Sequence, residues 1–239
     1  MDLVKSYLTE NPCFKANVNR ADSRYTTFQD RGPTGIMLHS VGCAQPNAQV
    51  FLANWNKPSY TAACVHAFID ANTGTIYQCL PWNYRGWHAG HQIGNNTLIG
   101  VEMCESKGIR YSSGAKFTVV DWALAQTDAS RTYHAAVELF ADICTRYSLN
   151  PDNAILSHRE GGIRGIASGH VDPEHYWSGL ELPYTMDGFR AAVKAKMAEQ
   201  QDTEVMYRIQ LGAFRRKDYA EAYLEQVKKT YPNAYLTKG

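Results

Sequence analysis

Gly35-Ile36-Met37-Leu38-His39-Ser40 decides how this chain reads. Its small and apolar residues describe a short buried strand, and a histidine stands at the strand's end. A second run of the same kind, Ala154-Ile155-Leu156-Ser157-His158, lies far downstream. A sheet that sets the two strands near each other brings two imidazoles together at their tips. A third piece follows closely, Gly169-His170-Val171-Asp172-Pro173-Glu174-His175.

Outward from these runs, further strands are expected at 65–70, 75–79 and 99–104. Ala71-Asn72-Thr73-Gly74 reads as the turn of a hairpin. Helices are expected at 47–55, 132–147 and 187–200. In the middle one Ala136, Leu139, Phe140 and Ile143 form an apolar stripe at helical spacing, and Asn150-Pro151 stops it. Strands interleaved with helices, plus a hairpin, predict an α/β fold with a mixed central β-sheet flanked by helices. Residues 1–34 read as an irregular lead-in and 111–127 as a surface excursion. The main domain then spans 35–197 and a polar linker 198–204. Residues 205–239 read as a small βαβ unit, with Tyr207, Ile209 and Leu211 alternating in its first strand, a helix from Lys217, and a last strand at Ala234-Tyr235-Leu236-Thr237. Pairing of its open sheet edge with a second chain would make a homodimer.

The chain has 239 residues, 44% hydrophobic and 20% charged, which is globular composition. A net charge of +1 gives no electrostatic case for nucleic acid or an anionic membrane. No apolar stretch approaches the roughly 18 residues of a membrane span. Met1-Asp2-Leu3-Val4-Lys5-Ser6-Tyr7-Leu8 lacks the apolar core of a signal peptide, so synthesis in the cytoplasm is expected. None of the six cysteines forms a CxxC pair, and they are expected as buried free thiols.

His39 and His158 on strand tips, with one carboxylate from a loop, suit the three-ligand site of a zinc hydrolase. His170, Asp172 and His175 offer the third ligand. In extended chain His170 and Asp172 point the same way, so one can bind metal while the other faces a substrate. His175, followed by Tyr176-Trp177, reads as packing. Glu102, a charge inside the apolar strand Leu98-Ile99-Gly100-Val101-Glu102-Met103, is the candidate general base. The competing reading places it on an edge strand facing water. Pro81-Trp82-Asn83-Tyr84-Arg85-Gly86-Trp87-His88-Ala89-Gly90 can line a groove, with Trp87 and His88 as candidate substrate contacts, while His66 reads as core.

From Gly35 to Trp177 the chain resembles the zinc-dependent N-acetylmuramoyl-L-alanine amidases of the type 2 amidase and peptidoglycan-recognition superfamily. The resemblance rests on Met37-Leu38-His39-Ser40, Val65-His66-Ala67-Phe68-Ile69-Asp70, Arg85-Gly86-Trp87-His88-Ala89-Gly90, Ile99-Gly100-Val101-Glu102, Ser157-His158-Arg159 and Val171-Asp172-Pro173. It implies the type 2 amidase fold, a Zn2+ ion on His39, His158 and Asp172, and Glu102 as base. It places His170 where many members carry an oxyanion-stabilising lysine. It implies cleavage of the amide between N-acetylmuramic acid and L-alanine in peptidoglycan, as in an endolysin or autolysin that meets the cell wall after release. The reading from a different class is a non-catalytic peptidoglycan-binding protein. Tyr207-Arg208-Ile209-Gln210-Leu211-Gly212-Ala213-Phe214 resembles the first half of a SPOR domain, which binds glycan strands stripped of peptides.

Overall fold

A computed structural model describes residues 1–204, 212–232 and 234–237. The chain divides into two compact units, Met1–Gln200 and Gln201–Gly239.

The first unit begins with β1 (Leu3–Lys5), α1 (Pro12–Val18) and α2 (Ser23–Arg31). β2 (Gly35–Ser40), α3 (Ala48–Trp55), β3 (Ala67–Ile69) and β4 (Ile76–Gln78) follow. Next come α4 (Gln92–Thr97), β5 (Leu98–Met103) and a hairpin of β6 (Ile109–Ser113) and β7 (Lys116–Val119). The rest is α5 (Trp122–Tyr147), α6 (Pro151–Ala154), β8 (Ile155–Ser157), α7 (His158–Ile163), α8 (Glu174–Gly179) and α9 (Met186–Glu204).

Six strands form one mixed sheet in the order β1-β4-β3-β5-β2-β8. β3 and β4 are the antiparallel pair joined by the expected turn, and the other neighbours run parallel. Alternation along the strands sorts their side chains onto two faces. Ile36, Leu38, Val101, Met103 and Ile155 pack with α5 residues such as Ala136, Leu139, Phe140 and Ile143. Met37, Leu98 and Leu156 sit in a separate cluster across the sheet. His39 and Glu102 share the parity of Met37 and Gly100, so they lie on this second face, as register neighbours.

Two expectations are corrected. Residues 1–34 are not irregular: β1 extends the sheet beside β4, and Asn11 and Asp22 cap α1 and α2. The α2 sequence is polar apart from the buried Tyr25 and Phe28, so its pattern is weak. The stretch read as an excursion is the β6–β7 hairpin followed by the first turns of α5. That helix runs 26 residues from its cap, Asp121, whose side chain accepts from Leu124 N–H at 3.0 Å. Its early buried positions are Ala125, Asp128 and Ala129, too small or polar to announce a stripe. Five cysteines are buried and Cys43 is partly exposed; all six are free.

In the second unit α10 (Lys217–Lys228) forms as expected and buries no residue. The ring centroids of its Tyr223 and of Phe214, which precedes it, lie 5.3 Å apart. The strand expected around Tyr207, Ile209 and Leu211 lies outside the described residues. Residues 234–237 carry no strand, contrary to expectation. Among the described residues no helix is long and apolar enough to cross a membrane.

The cap on α5 gives a direct test of this packing scheme. Asp121→Ala should lower the stability of the full chain by about 1 kcal/mol in urea unfolding, because an N-cap side chain typically contributes ~0.5–2 kcal/mol. No loss would mean that α5 is set by tertiary packing alone.

Candidate active site

His39 is carried near the end of β2, flanked by β5 on one side and β8 on the other. His158 follows β8 directly, as the first residue of α7. A reciprocal capping box fixes that start: Ser157 Oγ accepts from Glu160 N–H, and Glu160 Oε2 accepts from Ser157 N–H, both at 3.0 Å. Asp172 comes from the loop before α8, and its carbonyl accepts from Arg159 N–H at 3.2 Å. All three side chains are buried.

Their inner atoms converge. His158 Nδ1 lies 3.0 Å from His39 Nδ1. Asp172 Oδ2 lies 3.3 Å from His39 Nδ1 and 3.7 Å from His158 Nδ1. A tetrahedral zinc ion about 2.0–2.1 Å from each ligand would set its ligand atoms roughly 3.3 Å apart. The three residues form the converging ligand group found among the described residues.

The outer hydrogen bonds determine what those inner atoms carry. His88 Nε2 lies 3.0 Å from the Leu98 carbonyl, which can only accept, so this nitrogen holds the proton. Burial keeps the His88 ring neutral, so its Nδ1 accepts. His39 Nε2, 3.0 Å away, must then donate to it. On the other ligand, Ser168 Oγ donates to the Ala89 carbonyl at 3.3 Å and receives His158 Nε2–H at 3.0 Å. Burial pulls the His158 pKa down to about 3, so that ring is neutral too. The Nδ1 lone pair of His158 therefore faces a carboxylate, while His39 Nδ1 shares a proton with Asp172 Oδ2, 3.3 Å away, that a metal ion would displace, so three electron-rich atoms converge on one point. Burial alone would lower the proton affinity of His39, yet the charges of Glu102 and Asp172 raise it. Burial would raise the pKa of Asp172, and the His39 bond and charge bring it below the ordinary value. The donor set fits a divalent cation of the zinc type.

Glu102 stands beside His39 across the β2–β5 register. β5 lies between β3 and β2, so the edge-strand reading of Glu102 is wrong. Its Oε2 is shielded from solvent and has no hydrogen-bond partner among the described residues. Burial pushes its pKa up to about 7, against the opposing pull of His39.

His170 stands at the solvent side of the group, its side chain 60% exposed, with Nδ1 3.2 Å from His158 Nδ1 and 4.0 Å from Asp172 Oδ1. An open cavity of about 660 Å³ contains His39, Glu102, His158, His170 and Asp172 in its lining, and Trp55 and Trp87 stand in its wall. Trp87 also donates Nε1–H to Tyr25 Oη at 3.1 Å. His88, expected to touch substrate, belongs to the cavity lining but is mostly buried, with both nitrogens committed to His39 and Leu98. His66 is core, as expected; its Nδ1 accepts from Gly100 N–H and its Nε2 donates to the Tyr84 carbonyl. His175 packs beside Phe117 but also bonds Tyr111 Oη, a partner no sequence pattern announced.

Sequence reasoning missed the supports, His88 and Ser168. One signal was available for the first. A Cβ on Gly100 would lie 2.3 Å from His88 Cγ, so the glycine inside an apolar strand marks the close approach of a ring. No comparable signal marks Ser168.

Residues 29–175 match the family model described as N-acetylmuramoyl-L-alanine amidase. The chain belongs to this family. Residues 185–238 match the SPOR domain model, starting within α9 and upstream of the 205 boundary read from sequence. Over 168 residues, or 67% of the chain, it is 26% identical to the N-acetylmuramoyl-L-alanine amidase XlyA of Bacillus subtilis. Over 131 residues, or 54% of the chain, it is 25% identical to the endolysin PlyTW of Staphylococcus phage Twort. The chain spans 44% of the first relative's length and 24% of the second's. The crystal structure of Staphylococcus aureus hydrolase AmiA in complex with its ligand superposes with a TM-score of 0.58 at 18% identity, covering 86% of this chain and 87% of that one. The sheet and its flanking helices are thus a type 2 amidase fold.

Ser168→Ala tests the outer shell. It frees the His158 ring to turn and should weaken metal binding about 10–100-fold, read by chelator competition, with an unchanged circular dichroism spectrum. Unchanged affinity would show that packing alone orients His158.

Proposed function

We propose that this amidase-family chain is a zinc enzyme that hydrolyses the amide between the lactyl group of N-acetylmuramic acid and L-alanine in peptidoglycan. The observation that carries this reading is the convergence of His39 Nδ1, His158 Nδ1 and Asp172 Oδ2 beside a shielded, unpartnered Glu102 carboxylate in an open cavity. The names of the relatives, amidase and endolysin, point the same way.

Zinc held by His39, His158 and Asp172 would supply Lewis acidity and lower the pKa of a water molecule towards ~7. Glu102 takes the proton of the attacking water and passes it to the leaving nitrogen. Its proton affinity suits both halves of that transfer near neutral pH. His170, exposed at the mouth of the group, donates a hydrogen bond to the carbonyl oxygen as charge develops there, in place of a lysine. Trp87 offers its ring to the bound substrate from the cavity wall. The non-catalytic binding reading loses ground because a binder has no need of an unpartnered glutamate next to a complete ligand set.

In this reading the first unit, Met1–Gln200, is catalytic, α9 continues as helix through the stretch 198–204 read as a linker, and the second unit brings the enzyme to glycan or pairs it with a second copy. The enzyme acts on the cell wall after release.

Digestion of purified peptidoglycan should yield new N-terminal alanine and no new reducing sugar. The reverse pattern would make the protein a glycosidase. Glu102→Gln should retain about one zinc per chain and lose ~10²–10⁴-fold in turnover. Turnover at the parental rate would leave Glu102 a structural residue. A chain ending at Gln200 should still hydrolyse a small muramyl peptide. A folded, zinc-loaded truncation without activity would place the tail in the active site.

A further inference from the structure

A second polar cluster lies beside the ligand group and takes no part in the chemistry above. Glu105 follows β5 and is fully buried. Its Oε1 accepts from Gly42 N–H at 3.1 Å, in the turn that leaves β2 just after His39. Gly42 holds φ +64°, which glycine adopts without strain. Glu105 Oε2 accepts from Tyr111 Oη at 2.7 Å. With that proton spent, Tyr111 Oη accepts from His175 Nε2 at 2.9 Å. One buried carboxylate thus ties the turn after His39, the β6–β7 hairpin and the helix after Asp172.

The hairpin has its own geometry. Tyr111 and Phe117 are cross-strand partners and share a face. Phe117 lies so close to α8 that a Cβ on Gly179 would meet its ring at 2.4 Å. Ile109, buried in the main core, and its partner Val119 seat the base of the hairpin, and nearer the tip Tyr111 and Phe117 fasten the same face to the body, one by hydrogen bonds and the other by packing. The tip carries Gly114 and Ala115 into the lining of the cavity that holds the ligand group, away from the Trp87 wall in sequence. A two-stranded hairpin is marginally stable alone, so its position depends on these anchors.

We propose that the β6–β7 hairpin is a substrate-contacting wall of the cleft and that Tyr111 is the positioning residue that sets it, through Glu105 and His175. The inference rests on the amidase reading of the same cavity. The wall acts on binding of the muramyl peptide and leaves the bond-breaking step to Glu102.

The test uses the zinc-loaded full chain and a soluble muramyl tripeptide. Tyr111→Phe removes the hydroxyl and keeps the ring. It should raise KM about 3–10-fold, as expected for a lost hydrogen bond, with kcat within about twofold of the parent. Zinc per chain should stay unchanged, and amide hydrogen exchange should accelerate across 109–119 while β2 and β5 stay protected. Ala115→Trp alters the tip without touching the anchor and should raise KM with hairpin exchange unchanged. Zinc loss, or a fall in kcat at constant KM, in Tyr111→Phe would assign the cluster to the ligand group and overturn the proposal. An unchanged KM in Ala115→Trp would also overturn it. A parent chain that cleaves no muramyl peptide sinks the amidase reading instead, and in that case hairpin exchange in Tyr111→Phe still decides whether Tyr111 is the anchor.

Discussion

Three electron-rich atoms, two imidazole nitrogens and a carboxylate oxygen, meet at one buried point, and the fold around them is arranged to keep them there. Lone pairs at such separations repel unless a cation lies between them, and the low-polarity surroundings strengthen both the repulsion and its relief. The protein does not leave the choice of nitrogen open. Leu98 fixes the His88 proton, His88 fixes that of His39, and Ala89 and Ser168 fix that of His158. Each outer relay ends on a backbone carbonyl, a partner whose hydrogen-bonding role cannot reverse.

The sheet makes that point possible. Parallel pairing of β2 with β5 and β8 places the ends of the strands on a common side, so His39, Glu102 and His158 come from different parts of the chain to one edge. The alternation that buries Ile36 and Leu38 against α5 sends His39 to the other face, and the same parity sends Glu102 with it. A one-residue slip of β5 would bury Glu102 against α5 and move Val101 to the site. Register and chemistry are therefore set by the same hydrophobic pattern.

Much of this was legible in the sequence because strong local signals coincide with function. The apolar runs ending in His39 and His158 were readable as strands, and a charge at 102 inside an apolar strand was readable as a group with a task. What escaped lacked such signals. Residues 1–34 fold through capped short helices and a three-residue strand, whose stability comes from tertiary contact and leaves little periodicity. The β6–β7 hairpin is mostly polar and exposed, and its docking rests on Ile109, Tyr111, Phe117 and Val119, too few and too scattered to announce it. The supporting role of His88 escaped because a histidine in an aromatic loop looks the same whether it faces a substrate or supports a ligand; the support shows only through Leu98 and Gly100, ten or more residues away in the chain. Ser168 and Glu105 act through partners that only the fold brings near.

The most direct test of the account is the position of the metal itself. Crystals of the full chain, measured at the zinc absorption edge, should show one strong anomalous peak about 2.0–2.2 Å from His39 Nδ1, His158 Nδ1 and an Asp172 carboxylate oxygen. A peak bound through the Nε2 atoms, or one that takes His170 in place of Asp172, would contradict the hydrogen-bond logic on which the site is built.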